Sequence, residues 1–185
     1  MLFEPACPTC RECKPLRVLV DAFEPSKSQR RVLRRNADLR VEVAVPTVDD
    51  ERLELHRLFH AERSRTLGWK YDPAEVEDYE RSFLHNTVPT YEITYRIGRE
   101  LAAVAFVDES AGALSSIYCF HHPAHRRRSL GTFDILAEIQ LARRLALDYL
   151  YLGYSVRGCR SMEYKANFRP CEVLEDGVWR EVLGG

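Results

Sequence analysis

Apolar and polar positions alternate with period two along Leu39–Val45 (LRVEVAV) and Tyr91–Ile97 (YEITYRI), the pattern of strands that bury one face. Short apolar runs at Leu16–Val20 (LRVLV), Ala113–Phe120 (ALSSIYCF) and Tyr149–Tyr154 (YLYLGY) also read as strands. Gly98-Arg99-Glu100 separates Tyr91–Ile97 from Leu101–Val107 and predicts a hairpin. From Leu130 to Ala146 the spacing becomes helical, with Leu130, Phe133, Leu136, Ala137, Ile139, Leu141 and Leu145 in one broad stripe. Ser26, after Pro25, is placed to cap a helix Lys27–Arg35 that ends at Asn36. Asp49 or Asp50 caps a second helix running to about Arg63, and Pro73 opens a third that ends near Phe83. His121–Ser129 reads as a polar loop, Ser161–Phe168 as a short helix, and two short strands close the chain. This order predicts an α+β fold with a central mixed sheet flanked by helices. Tyr91–Ile97, Leu101–Val107, Ala113–Phe120 and Tyr149–Tyr154 are expected to share that sheet, with the long helix across one face. Residues 1–15 form a Cys-rich head, and 16–185 form the domain proper.

The 185 residues, with 45% hydrophobic and 30% charged, suffice for one domain with a full core. Lys+Arg 27 against Asp+Glu 28 leaves a formal net charge of −1, which excludes a chain that is basic all over. Any contact with nucleic acid is therefore local. No apolar run approaches the roughly 20 residues of a membrane span, and the first residues show no secretory pattern. Six cysteines, three of them crowded at the start, do not make a disulfide framework. The expectation is a reduced, cytoplasmic monomer with no membrane association.

Two basic clusters stand out. Arg126-Arg127-Arg128-Ser129-Leu130-Gly131-Thr132 joins a strand to the long helix, where free backbone N–H groups and the helix dipole favour an anion. Its pattern is similar to the pyrophosphate turn of the acyl-CoA N-acetyltransferase (GNAT) superfamily, with Ser129 where the first glycine stands. Lys27, Arg30, Arg31, Arg34 and Arg35 crowd one short helix, and like charges at these spacings repel unless an anion offsets them. An RNA backbone is such an anion, and a solvated face is the plainer reading. Cys7, Cys10 and Cys13 have a spacing at which thiolates can converge on zinc or an iron–sulfur cluster, with Cys171 or a histidine as fourth ligand through the fold. Packed or redox-sensitive thiols are the alternative. His121, His122 and His125 show no metal spacing with an acid, and no glutamate of a zinc-protease motif lies between His56 and His60. Tyr118, Tyr151, Tyr154 and Tyr164 either pack in the sheet or line a cleft.

The segments CPTCRECKPLRV, PSKSQRRVLRRNADLRVEV, SSIYCFHHPAHRRRSLGTFDIL and YLYLGYSVRGCRSMEYKANFRPCEVL, in this order, resemble the arginyl/leucyl-tRNA–protein transferases. The resemblance implies a GNAT-like domain that moves Leu or Arg from aminoacyl-tRNA to the N-terminal α-amine of a protein, at Asp or Glu, in N-end-rule degradation. It implies aminoacyl-tRNA as co-substrate and no required cofactor. It marks Tyr154, Tyr164, Lys165 and Tyr118 as candidates for the donor pocket and catalysis. Arg30, Arg31, Arg34, Arg35, Arg126, Arg127, Arg128, Ser129 and Gly131 become candidates for tRNA phosphates. Family members carry a further N-terminal region ahead of the cysteine run. The alternatives are an acyl-CoA N-acetyltransferase and a non-catalytic module that binds tRNA or a degron.

Overall fold

The computed structural model describes Pro5, Cys7 and residues 9–70, 75–156 and 158–182. Strand β1 (Lys14–Leu19) is followed by helix α1 (Lys27–Arg35), β2 (Leu39–Ala44), α2 (Asp50–Leu67) and α3 (Val76–Phe83). Then come β3 (Thr90–Ile97), β4 (Glu100–Ser110), β5 (Ala113–His121) and the long helix α4 (Leu130–Arg144). β6 (Tyr149–Ser155), α5 (Arg160–Glu163), β7 (Cys171–Glu175) and β8 (Val178–Glu181) complete the chain. All eight strands share one sheet in the order β2-β3-β4-β5-β6-β1-β7-β8, so the expected four-strand core is present and extended on both sides.

The caps explain the helix ends. Ser26 and Gln29 form a reciprocal capping box at the start of α1. Asp49 accepts from the Arg52 N–H at the start of α2, and Gly68 ends that helix with φ 69. Helix α2 therefore outruns its expected end near Arg63, because no chain-breaking residue precedes Gly68. The expected start of the third helix at Pro73 lies outside the described residues. His121–Ser129 is more ordered than a loop: Pro123–Arg128 forms a 3-10 turn whose first N–H groups are met by His122. Ser161–Phe168 divides into α5 and a 3-10 turn, Tyr164–Asn167.

Leu101–Val107 of β4 is buried on both faces, which is why it reads as a continuous apolar run. α4 covers one face, with Leu130, Phe133, Leu136 and Ile139 in a cluster with Val18, Ala103, Leu114 and Leu150. α2 and α3 cover the other through Leu55, Phe59, Tyr79 and Phe83 against Val104, Phe106 and Phe120. The Phe83 and Phe106 rings stack at 4.3 Å. Each such buried ring contributes about 1.5–3 kcal/mol. β2 differs from its alternating pattern: it is an edge strand, and Arg40–Ala44 are all exposed because no helix covers the end of the sheet. Leu145, expected in the α4 stripe, falls just past the helix and is 39% exposed.

Candidate active site and basic face

β5 and β6 run parallel but pair only at Ala113–Tyr149, Leu114–Leu150 and Ser115–Tyr151. Beyond Ser115 and Tyr151 they diverge, because each strand follows its other neighbour: β5 stays with β4, and β6 stays with β1. A bulge helps the split. Phe106 pairs with Tyr118 and Val107 with Ser116, so Ile117 is an extra residue on β5. Peptide groups that face each other across this fork lack ladder partners and can serve a ligand. The fork opens into a cleft of about 390 Å³ lined by Ser115, Ser116, Ile117, Gly153, Tyr154, Met162 and Lys165.

Tyr154 and Lys165, both expected from the sequence, meet here: the Lys165 ammonium donates to the Tyr154 carbonyl at 2.9 Å. Burial lowers the Lys165 pKa. Gly153 has φ 73, a backbone conformation that favours glycine, and it lies beside the Lys165 Nζ. Tyr164 lines a neighbouring cavity with Gln29, Thr132 and Arg169. The residue is 42% exposed, yet desolvation of its hydroxyl, with Cys119, Asp134 and Glu138 nearby, pushes that group up to about 12. Tyr118 is not in the cleft. The bulge turns it to the opposite face of the sheet, where its hydroxyl lies 3.0 Å from His60 Nε2.

Asp134 and Glu138 escape a reading of the sequence as a stripe of apolar residues. They lie four apart on α4 and are 2% and 0% exposed. The Tyr95 hydroxyl donates to Asp134 at 2.6 Å, and Ser116 donates to Glu138 at 3.0 Å. Burial drives both carboxyls above their usual range. The signal available in the sequence was an acid set among apolar helix neighbours: Ile135, Ala137, Ile139, Leu141 and Ala142 flank Glu138.

The two basic clusters come together. Arg35 donates to the Arg127 carbonyl, Asn36 donates to the Arg128 carbonyl at 2.9 Å, and the Arg128 guanidinium makes a two-pronged pair with Asp38 at 2.8 and 2.9 Å. Arg128 is thereby committed to holding the turn. Arg126 and Arg127 remain exposed beside Arg30, Arg31, Arg34 and Arg35, all exposed on α1. Ser129 takes the left-handed conformation (φ 58) at the head of α4. Gly131 is inside the helix without a positive φ, and a Cβ there would meet nothing within 4 Å. The conformational demand therefore falls on Ser129, the position of the pattern's first glycine.

Cys7 and Cys10 are exposed and Cys13 is half-buried, and all three are free thiols. Among the described residues they are not gathered into a ligand set, and Cys171, the fourth ligand considered from the sequence, is buried in the core. Ligand-type side chains converge instead at Glu100, His122 and His125, within 4.8 Å of one another. The β3–β4 turn supplies the acid that sequence spacing did not show. Among the described residues no helix is long and apolar enough to cross a membrane.

Two family signatures match the chain: "Arginine-tRNA-protein transferase, C terminus" over residues 51–175 and "Arginine-tRNA-protein transferase, N terminus" over residues 1–31. The chain is similar to the aspartate/glutamate leucyltransferase of Marinobacter nauticus, 38% identical over 180 residues, which are 97% of this chain and 75% of that protein. It is also similar to the aspartate/glutamate leucyltransferase of Campylobacter jejuni, 36% identical over 172 residues, covering 92% of this chain and 72% of that one. Among solved structures, a DUF2156 domain from Agrobacterium fabrum superposes with a TM-score of 0.65 at 18% identity, over 91% of this chain and 58% of that chain. FemX gives a TM-score of 0.56 at 10% identity, over 78% of this chain and 54% of that chain. These structural likenesses speak to the fold, which is the α+β GNAT-like one. With a signature spanning residues 51–175 and relatives this similar along almost its whole length, the chain belongs to the arginine-tRNA-protein transferase family.

Proposed function

We propose that this transferase moves leucine from leucyl-tRNA to the N-terminal α-amine of proteins that begin with Asp or Glu, marking them for N-end-rule degradation. The observation that carries the reading is the fork between β5 and β6, in a fold that also packs the basic helix α1 against the arginine-rich Arg126–Ser129 turn. The choice of leucine and of acidic acceptors follows the names of the curated relatives.

The chemistry is aminolysis of an ester. The neutral acceptor nitrogen attacks the aminoacyl carbonyl carbon, a C–N bond forms, the bond to the ribose 3′ oxygen breaks, and the nitrogen loses a proton while the leaving oxygen gains one. None of this needs a resident cofactor. Arg30, Arg31, Arg34, Arg35, Arg126 and Arg127 hold phosphates of the acceptor arm, and the amides at the head of α4 take the terminal one. The unpaired peptide groups of the fork orient the ester and receive the developing oxyanion. Lys165 keeps the end of β6 in place through the Tyr154 carbonyl.

The test is transfer of labelled leucine or arginine from charged tRNA to peptides that start with Asp, Glu or a neutral residue. Leucine on the acidic peptides alone is the expected result. Arginine transfer would replace the donor assignment, and no transfer with either amino acid defeats the proposal.

A further inference from the structure

Glu138 is a costly side chain for a core. It is fully buried, its Oε1 accepts from the Ser116 hydroxyl at 3.0 Å, and its Oε2 has no partner among the described residues. A buried polar atom left unmet calls for an explanation. Its position supplies one. Ser116 follows directly on Ser115, the last β5 residue paired with β6, and it forms part of the cleft wall. Glu138 thus lies one hydrogen bond behind the floor of the fork. Because the Ser116 proton points at Glu138, the oxygen lone pairs are left to accept from the cleft side. The distance along α4 is also informative. Leu130 to Glu138 is eight residues, about 12 Å at 1.5 Å per residue. That is close to the span of one nucleotide carrying an amino acid on its 3′ end.

We propose that Ser116, backed by Glu138, is the subsite that receives the α-ammonium group of the donor amino acid. This deepens the reading of the fork as the donor site and rests on it. The ammonium donates to the Ser116 oxygen, and Glu138 acts as the positioning residue that turns the hydroxyl and supplies the balancing charge. Burial, and then the neighbouring Asp134, favour the protonated form of Glu138; an arriving cation favours the carboxylate, so the proton leaves and the ammonium takes over its electrostatic place. An acyl group without an amine gives Glu138 no such counter-charge, so the subsite separates aminoacyl donors from simple acyl donors. The donor amine fits better than the acceptor amine, because the α-carbon is bonded to the ester carbonyl that the fork itself holds.

The experiment uses calorimetry with the whole chain and four non-reactive probes. These are the leucyl and arginyl amides of 3′-amino-3′-deoxyadenosine and the two matching amides that lack the α-amine. Titrations in two buffers of different ionisation enthalpy report proton release. The parent should bind an aminoacyl probe about tenfold or more tighter than its des-amino partner and release a proton on doing so. Ser116→Ala and Glu138→Gln should each bring the pair to near equality, and Glu138→Gln should abolish the proton release. Should Glu138→Gln fail to fold, Ser116→Ala carries the same comparison. Equal binding of both members of each pair by the parent overturns the ammonium subsite while leaving the fork as donor site. Binding of none of the four defeats the donor-site reading and the subsite together. A Ser116→Ala chain that loses affinity for an Asp-initiated peptide, but not for the aminoacyl probes, assigns the pocket to the acceptor and also overturns the proposal.

Discussion

His56 makes the aromatic wall behind Tyr118 sensitive to acid. Its Nδ1 is buried without a hydrogen-bond partner, the Phe120 ring stands edge-on at 5.1 Å, and the His60 ring is 4.2 Å away. Burial first, then the charges of His60 and Arg57, lower its pKa from 6.5 to about 4. The unfolded chain therefore takes up this proton before the folded one does. Stability is unaffected above about pH 6.5 and declines as the pH falls toward about 4. At pH 5 the two pKa values correspond to about 2 kcal/mol, and because water still reaches part of the ring the effect is between about 1 and 2 kcal/mol. For a chain of this size that is roughly 2–8 °C in the midpoint of melting. His56→Phe keeps a flat ring and removes the proton site. Melting of parent and variant followed by circular dichroism at pH 7 and pH 5 should show the parent losing more, by that amount. The two midpoints falling in parallel would refute the argument, whatever their offset at pH 7, which reports packing alone.

Replacing Arg30, Arg31 and Arg34 together with Ala should weaken tRNA binding and reduce the slope of log affinity against log salt by roughly 0.7–0.9 for each phosphate no longer neutralised; an unchanged slope makes α1 a solvated face. Gly131→Asp should fold, since nothing opposes a Cβ there and an acid in the first turn suits the helix dipole. It should nevertheless lose charged tRNA, and undiminished binding in filter assays would put the donor's phosphate elsewhere. Arg52→Met leaves the Glu92 carboxylate, 1% exposed and held by Arg52 at 2.6 Å, without its counter-charge. The expected loss is about 3–5 kcal/mol by urea unfolding, and a loss below about 1 kcal/mol would show that the pair is not a stability determinant.

Local signals carried most of the secondary structure. The Tyr91–Ile97 alternation, the turn at Gly98 and the Ser26 cap each act within a few residues, and each is where the sequence puts it. Neighbour relations were another matter. Nothing in LRVLV says that β1 enters between β6 and β7, because an apolar run specifies burial and not its partner. The bulge at Ile117 was equally hidden, and it alone separates Tyr118 from the cleft that holds Tyr154 and Lys165. The basic residues were legible as clusters but not as one surface. The acids of α4 were masked by their own neighbours: a helix covered almost all round by protein buries polar and apolar residues alike.

The docking of α1 decides whether those clusters act together. At its start, Gln29 donates to the Asn167 carbonyl at 3.1 Å, and at its end Arg35 and Asn36 bond the backbone of Arg127 and Arg128. One nine-residue helix thus ties the turn that carries Tyr164 and Lys165 to the turn that heads α4. Arg128 could have been a third phosphate fork, yet it pairs with Asp38, next to the end of α1, and closes the junction. A chain with a net charge of −1 cannot rely on overall attraction to RNA. Holding α1 against the α4 turn gathers the remaining arginines around one junction. On the proposed reading, the same contacts that stabilise this corner of the fold would fix the direction from which a charged tRNA end approaches the β5–β6 cleft.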